Sequence, residues 1–566
     1  MDNFSLFYPE NSEIKENTLT EEAINDLSID FIIDALSEDN YEKNILRKTM
    51  SNITSDKETI LYRRDVFEDF LKYPELRDEF SELIKKLADL RDIERFQKDQ
   101  EASSLWTLIN RLREIDEYVR CITRFKEILE RLDVKSEGML TLKKNVTEIY
   151  HESGFPAIKK DIDEMFAKAG NLKSITIGVN LDKLLRPKTA GVVSLNDTEF
   201  KKSGLMKHFS NFVKAEDDLH HGVEVDNEMR FHPAENIKSN IIIGSYQQNA
   251  ANHNVHIETN DITGADPLSD ALKKSVTDIL RKTVREIKSS LKKYVNISGY
   301  ALISLMPEII FYIRWAELVD KITAKGMVMC KPDILPPEDR NCSFKELYNL
   351  KLAINNVNGD NIDIVTNEFE FNDERRIFIL TGPNRGGKTI FTQAVGLCML
   401  LAQWGVYIPA SQASISPCDN IYTHFPADEN DTVDLGRLGE ESKRLSEIFE
   451  KATNKSILLL NESLATTNVS EGLFIAEDVV KAMRYLGARA IFNTHMHELA
   501  RDLDAINKSE GDSIAASIIT GVSHGKRSFK VMLAPPQGVS YAKDIAEKYG
   551  VTFDKIKDTI DKNQLK

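Results

Sequence analysis

Ile377-Phe378-Ile379-Leu380-Thr381-Gly382-Pro383-Asn384-Arg385-Gly386-Gly387-Lys388-Thr389 is the stretch on which the reading of this chain turns. A short apolar run passes into G-x-x-x-x-G-K-[ST], and a helical pattern follows at Phe391–Leu401. Strand, glycine loop and helix in that order form a phosphate cradle. Glycines let backbone N–H groups turn inward and approach the anion, and the helix N-terminus favours negative charge. Lys388 has the reach and charge for β- and γ-phosphates, and the Thr389 hydroxyl is a Mg²⁺ ligand. The expected activity is ATP binding and hydrolysis with Mg²⁺.

Such a loop needs an acidic end to a second buried strand. Ile457-Leu458-Leu459-Leu460-Asn461-Glu462 supplies one. Glu462 is placed to polarise the attacking water as general base. Asn461 holds the position where an Asp usually supports the metal. Its amide oxygen still accepts from a metal-bound water but brings no charge, so weaker Mg²⁺ binding is expected. A third apolar run, Ala490–Asn493, ends in Thr494-His495. His495 there suits a hydrogen bond to the γ-phosphate or to the attacking water; a purely structural histidine is the alternative.

Taken together these residues resemble the MutS family of DNA-repair ATPases. Gly382-Pro383-Asn384-Arg385-Gly386-Gly387-Lys388-Thr389 is similar to the family's G-P-N-x-G-G-K-[ST] loop, which is narrower than the generic pattern. Tyr407-Ile408-Pro409-Ala410, Asn493-Thr494-His495-Met496-His497-Glu498-Leu499, and the pair Ser540-Tyr541-Ala542 and Ile545-Ala546 resemble further family steps. The resemblance implies a multidomain chain: a helical core and lever region with a partly β, clamp-like insert, then a C-terminal α/β P-loop ATPase domain of the ABC type. It also implies Gly382, Pro383, Asn384, Gly386, Gly387, Lys388 and Thr389 around the nucleotide, and a homodimer with composite ATP sites.

The departures are specific. Where the family has Gly-Arg-Ser-Thr in its signature segment, this chain has Gly436-Arg437-Leu438-Gly439. The serine expected to reach a partner's nucleotide is missing, leaving Gly436 and Gly439 to present backbone N–H groups ahead of a helix expected at Glu440–Ala452. About 60 residues precede the lever-like region, too few for the family's mismatch reader and connector. Phe80-Ser81-Glu82 has the letters of the reader's Phe-x-Glu wedge but lies in a helical pattern. No appended nuclease domain is expected after residue 566. The expectation is a MutS-like protein without mismatch recognition.

Working outward, the expected organisation is an N-terminal segment (1–60), a helical region (61–170), the insert (171–265), a second helical segment (266–355) and the nucleotide domain with a helical tail (356–566). Leu105, Leu108, Leu112, Ile115, Val119, Ile122, Phe125, Leu129 and Leu132 recur at helical steps. Helical periodicity returns from Leu272 to Val295. Between them, β-like runs stand at Ser174–Val179, Gly191–Leu195 and Ile241–Gly244. A pair of arms with a tip and an ordinary insertion both fit this order.

Net charge is −16, which argues against nucleic-acid binding by the whole surface. Residues 171–214 run the other way, with eight basic against three acidic side chains, a local +5. Lys183, Arg186, Lys188, Lys201 and Lys202 are the expected phosphate contacts if this surface meets DNA. The alternative for the stretch is a solvated basic face. Two functions remain: a DNA-associated ATPase closing its arms on duplex or branched DNA without mismatch specificity, or an ATP-dependent scaffold or regulator gripping another protein. No apolar run reaches the roughly 18 residues of a membrane span. The N-terminus lacks a basic-then-apolar signal, and the five cysteines form neither a disulfide pattern nor a zinc pattern. A soluble cytoplasmic protein is expected.

Overall fold

The computed structural model describes residues 4–97, 105–151, 155–168, 174–181, 183–184, 187–196, 232–233, 300–383, 385–426, 436–464, 469–523, 526–536 and 549–557. The protein is a mixed helix-and-sheet, multidomain chain. It divides into two compact units: Met1–Asp2 with Glu82–Leu132 and Lys143–Ser304, and Asn3–Ser81 with Asp133–Leu142 and Leu305–Lys566.

The chain opens with β1 (Asn17–Thr18), α1 (Glu21–Asp26), α2 (Ile29–Leu36), α3 (Asn40–Met50), β2 (Asn52–Ile53) and α4 (Lys57–Lys72). Local chemistry sets the helix starts. Thr20 caps α1 by accepting from Ala23 N, Asp39 caps α3 from Glu42 N, and Asp56 caps α4 from Thr59 N. Then come α5 (Pro74–Gln97), α6 (Leu105–Arg131), α7 (Glu137–His151) and α8 (Phe155–Lys168). The helical periodicity seen from Leu105 is α6, and its residues Leu112, Ile115, Ile122, Phe125 and Leu129 are fully buried. Phe80 lies inside α5, buried edge-on against Phe70 at 5.6 Å, so the Phe80-Ser81-Glu82 triplet is ordinary helix.

β3 (Ser174–Leu181), β4 (Pro187–Asn196) and β5 (His232–Pro233) form an antiparallel sheet in that order. Two of the three β-like runs thus lie on β3 and β4; Ile241–Gly244 and the periodic run Leu272–Val295 fall outside the described residues. α9 (Tyr300–Ile303) and α10 (Met306–Ala324) follow, the latter apolar on almost every side and buried accordingly.

From residue 333 the order is β6 (Asp333–Ile334), β7 (Cys342–Leu347), α11 (Leu350–Val357), β8 (Asn367–Phe371), β9 (Arg375–Thr381) and α12 (Lys388–Gln403). It continues with β10 (Gln412–Ile415), β11 (Ile421–His424), α13 (Gly436–Lys451), β12 (Ile457–Asn461), α14 (Val469–Leu486) and β13 (Arg489–Asn493). The described part closes with α15 (His497–Arg501), α16 (Leu503–Ile506), β14 (Ile514–Ser523), β15 (Lys526–Leu533) and a short helical turn. Strands 6, 10, 7 and 8 pair in that order. The larger sheet runs 11-12-13-9-14-15, with every pairing parallel except β14–β15.

The three apolar runs read from sequence are β9, β12 and β13. Their near-continuous burial explains their lack of alternation: a parallel strand is covered on both faces. Leu458, Leu460, Ala490 and Phe492 pack with Ala476, Val480 and Met483 of α14. On α12, a side chain at Gly396 would meet Leu459 Cδ1 at 2.7 Å and Leu27 Cδ2 at 2.8 Å, so the helix lies close on the sheet.

Candidate functional site

β9 delivers its chain directly into the glycine loop. Gly382 has φ +145° and Gly387 φ +89°, both in the region that favours glycine, and α12 begins at Lys388. A Cβ at Gly382 would stand 2.0 Å from Thr520 Oγ1 of β14; at Gly386 it would stand 2.8 Å from Pro383 O and 2.9 Å from Thr520 Oγ1. The glycines are therefore needed to pass the neighbouring strand as well as to bare the backbone. Lys388 is buried, and its Nζ donates to Gly382 O at 3.1 Å and Pro383 O at 3.3 Å. Burial pushes its ammonium below the usual lysine range. Asn384 lies outside the described residues.

Register brings the other strand ends to this loop. Asn461 pairs with Asn493 across β12–β13, and Asn493 with Leu380 across β13–β9. The residues that follow each strand consequently emerge side by side at the carboxyl edge, where open parallel sheets bind ligands. Thr389 Oγ1 donates to Asn461 Oδ1 at 2.9 Å, and Asn493 Nδ2 donates to the same oxygen. Glu462 takes φ +52°, its N–H donating to Asn493 O at 2.8 Å. His495 Nε2 donates to Glu462 Oε1 at 2.8 Å. That bond holds the Glu462 carboxyl below the usual glutamate range, so it is ionised at neutral pH.

Several neighbours were not singled out by sequence. Thr520 walls the loop, Asn493 orients Asn461, and Ser463 is buried behind Glu462 against His424. Burial pushes His424 down to about 4, so its ring is neutral. Beside the loop lies a cavity of about 360 Å³ with apolar walls from Tyr348, Leu352, Ile362, Val365, Phe391 and Phe529. Phe529 reaches it from β15, where Asn367 Nδ2 donates to its carbonyl at 3.3 Å. No motif marks Thr520, Ser463 or Phe529, and although Asn493 ends a readable strand, its partnership with Asn461 comes from strand order.

The loop is a cradle that side chains would fill, with a buried ammonium at one end. Its donor set of Thr389 hydroxyl, Asn461 amide and Glu462 carboxylate is all oxygen, which suits a hard divalent cation. Lys388, Thr389, Asn461, Glu462 and His495 thus come together. The signature-like segment departs from expectation: α13 begins at Gly436, so Gly436–Gly439 form its first turn and do not precede a helix starting at Glu440. A glycine-tolerant first turn still leaves its N–H groups without intrahelical partners.

Of the basic residues, Lys183 is exposed in the turn after β3, and Lys188 lies on β4. Arg186, Lys201 and Lys202 fall outside the described residues, as do residues 540–546 of the tail. No helix among the described residues is long and apolar enough to cross a membrane.

Two family models match this chain. One described as MutS domain V covers residues 378–550, and one described as MutS2 N-terminal domain covers residues 55–325. Endonuclease MutS2 of Staphylococcus epidermidis is 28% identical over 312 residues, 54% of this chain and 37% of its own length. DNA mismatch repair protein MutS of Chlorobium limicola is 38% identical over 137 residues, 24% of this chain and 16% of its own. DNA mismatch repair protein MutS 2 of Halobacterium salinarum is 31% identical over 188 residues, 33% and 21%. The chain thus matches well under half the length of these curated relatives.

Proposed function

This chain belongs to the MutS family, and from that premise we propose that it is a DNA-associated ATPase whose nucleotide cycle moves its arms on DNA. The observation that carries the proposal is the meeting of Lys388, Thr389, Asn461, Glu462 and His495 at the ends of three adjacent strands.

In this reading the backbone of Gly382–Lys388 and the α12 N-terminus hold the phosphates, and Lys388 exchanges its two loop carbonyls for phosphate oxygens. Thr389 and Asn461 would hold a Mg²⁺ ion, which when bound would supply charge neutralisation at the phosphates. His495 fixes Glu462 through Oε1, leaving Oε2 to orient the attacking water and take its proton. A carboxylate held at low pKa is a weak base, so its main work is orientation; phosphoryl transfer rests on positioning and electrostatics. The apolar cavity beside the loop suits a purine base. The glycine-bearing first turn of α13 serves the nucleotide of a second copy, giving a homodimer with two composite sites. DNA association is carried over from the relatives' names, and mismatch preference is not part of the proposal. The competing reading, an ATP-dependent scaffold gripping another protein, shares the same nucleotide site.

Two variants test the assignment. Lys388→Ala removes the phosphate-directed charge and should abolish or strongly weaken ATP binding in equilibrium titration. Glu462→Ala should bind ATP as well as the parent while turnover falls by about a hundredfold or more. Undiminished turnover in purified Glu462→Ala would sink the role of Glu462.

A further inference from the structure

Glu462 does not stand on its strand; it stands on a turn, and the turn is held from outside. Glu462 and Leu464 both take left-handed backbone conformations, φ +52° and +64°, that side-chain-bearing residues avoid. Such a pair persists only where the surroundings over-determine it. Ser463 between them is buried, accepts from His424 Nδ1 at 2.7 Å and donates to His424 O at 3.0 Å. Leu464 N–H donates to Glu441 Oε2 at 2.5 Å. A Cβ at Gly472 of α14 would lie 2.6 Å from Leu464 O, so that helix packs tightly against the same residue.

We propose that Glu441 is a positioning residue for hydrolysis, acting through the Leu464 amide to hold Glu462 in its working place. Glu441 is only 8% exposed, and a carboxylate that deep is costly to bury unless it is hydrogen-bonded, as it is here to Leu464 N. It sits in the second turn of α13, the helix whose first turn is Gly436–Gly439. A shift of α13 therefore pulls on the backbone two residues from Glu462. Nucleotide engagement by the first turn and alignment of the carboxylate on the same chain become one mechanical event. This rests on the reading of Glu462 as the group that orients water.

The test uses the full chain. Glu441→Ala should lower kcat by about tenfold to a hundredfold, as small misplacements of a positioned group do. ATP affinity by equilibrium titration should stay within about twofold of the parent, because the loss falls on the chemical step. Glu441→Gln keeps an oxygen to accept from Leu464 N–H and should recover most of the rate. Gly472→Ala tests the turn through a second contact, the one on Leu464 O. Alanine favours the helix that carries it, but its methyl displaces Leu464, so kcat should fall with ATP affinity kept. In a Glu462→Ala background, Glu441→Ala should change the residual rate little, since it acts through Glu462. Wild-type kcat in both Glu441→Ala and Gly472→Ala would overturn the proposal. So would parallel loss of affinity and rate that Glu441→Gln does not rescue. A parent protein that binds ATP without hydrolysing it would instead overturn the reading of the site itself.

Discussion

At Asn461 a single amide replaces the carboxylate that a phosphate loop usually has beside it, and its surroundings show how it is used. Its Oδ1 accepts from Thr389 Oγ1 at 2.9 Å and from Asn493 Nδ2. An aspartate carboxylate would accept from the same two donors and add a full charge within reach of a cation. Asn461→Asp should therefore lower the Mg²⁺ concentration for half-maximal ATPase activity, on the order of tenfold. A Mg²⁺ titration identical to that of the parent would place Asn461 outside the metal shell. The partnership with Thr389 was legible because both residues belong to recognisable motifs. That with Asn493 was not, because only the β12–β13 register sets the two amides side by side. The Glu462–His495 bond has the same origin: each residue follows a readable strand, and their meeting depends on strand order.

Among the elements, the first described residues show the largest gap between sequence and structure. Nothing periodic marks Ser5-Leu6-Phe7-Tyr8, yet Leu6 is fully buried and Phe7 nearly so. Tyr312 OH donates to Leu6 O at 2.8 Å, Tyr62 OH to Ser5 O at 2.9 Å, and Arg63 Nε to Phe7 O at 3.0 Å. Glu308 accepts from Ser5 Oγ at 2.7 Å and from Leu6 N at 2.5 Å. The segment is bound by side chains of α4 and α10, the latter some 300 residues away, which no local pattern encodes. The Phe7 ring lies edge-on to Phe311 at 5.2 Å and to Tyr312 at 5.3 Å. Phe7→Ala should cost about 3 kcal/mol of stability and lower the melting temperature of the unit that contains it. A calorimetric melt superimposable on that of the parent would show that the segment adds nothing. Capping residues such as Asp39 and Asp56, by contrast, act within four residues and were available to local reading.

For the whole molecule, the basic stretch of residues 171–214 offers the test between the two proposed functions, DNA association and a protein scaffold. Contacts confined to phosphates carry no sequence information and release counterions. Neutralising Lys201 and Lys202 together should weaken binding to all duplexes alike and flatten the dependence of log affinity on log salt by up to about 2 units. A mismatched duplex should bind no better than its matched counterpart. A clear mismatch preference would reveal a base-recognition element in the chain, and no binding at any salt or nucleotide state would favour the scaffold reading. By itself the sequence determined the strands β9, β12 and β13, the glycine loop and the buried stripe of α6. Each is written in adjacent or helically spaced residues, so local periodicity and glycine chemistry suffice. Only the tertiary structure decided that Asn493 orients Asn461 and that Thr520 forbids side chains at Gly382 and Gly386. It alone set the Glu441 bond to Leu464 and the burial of Leu6 and Phe7. Those are contacts between segments far apart in the chain, created when parallel strands fix their order and register and the helices close over them.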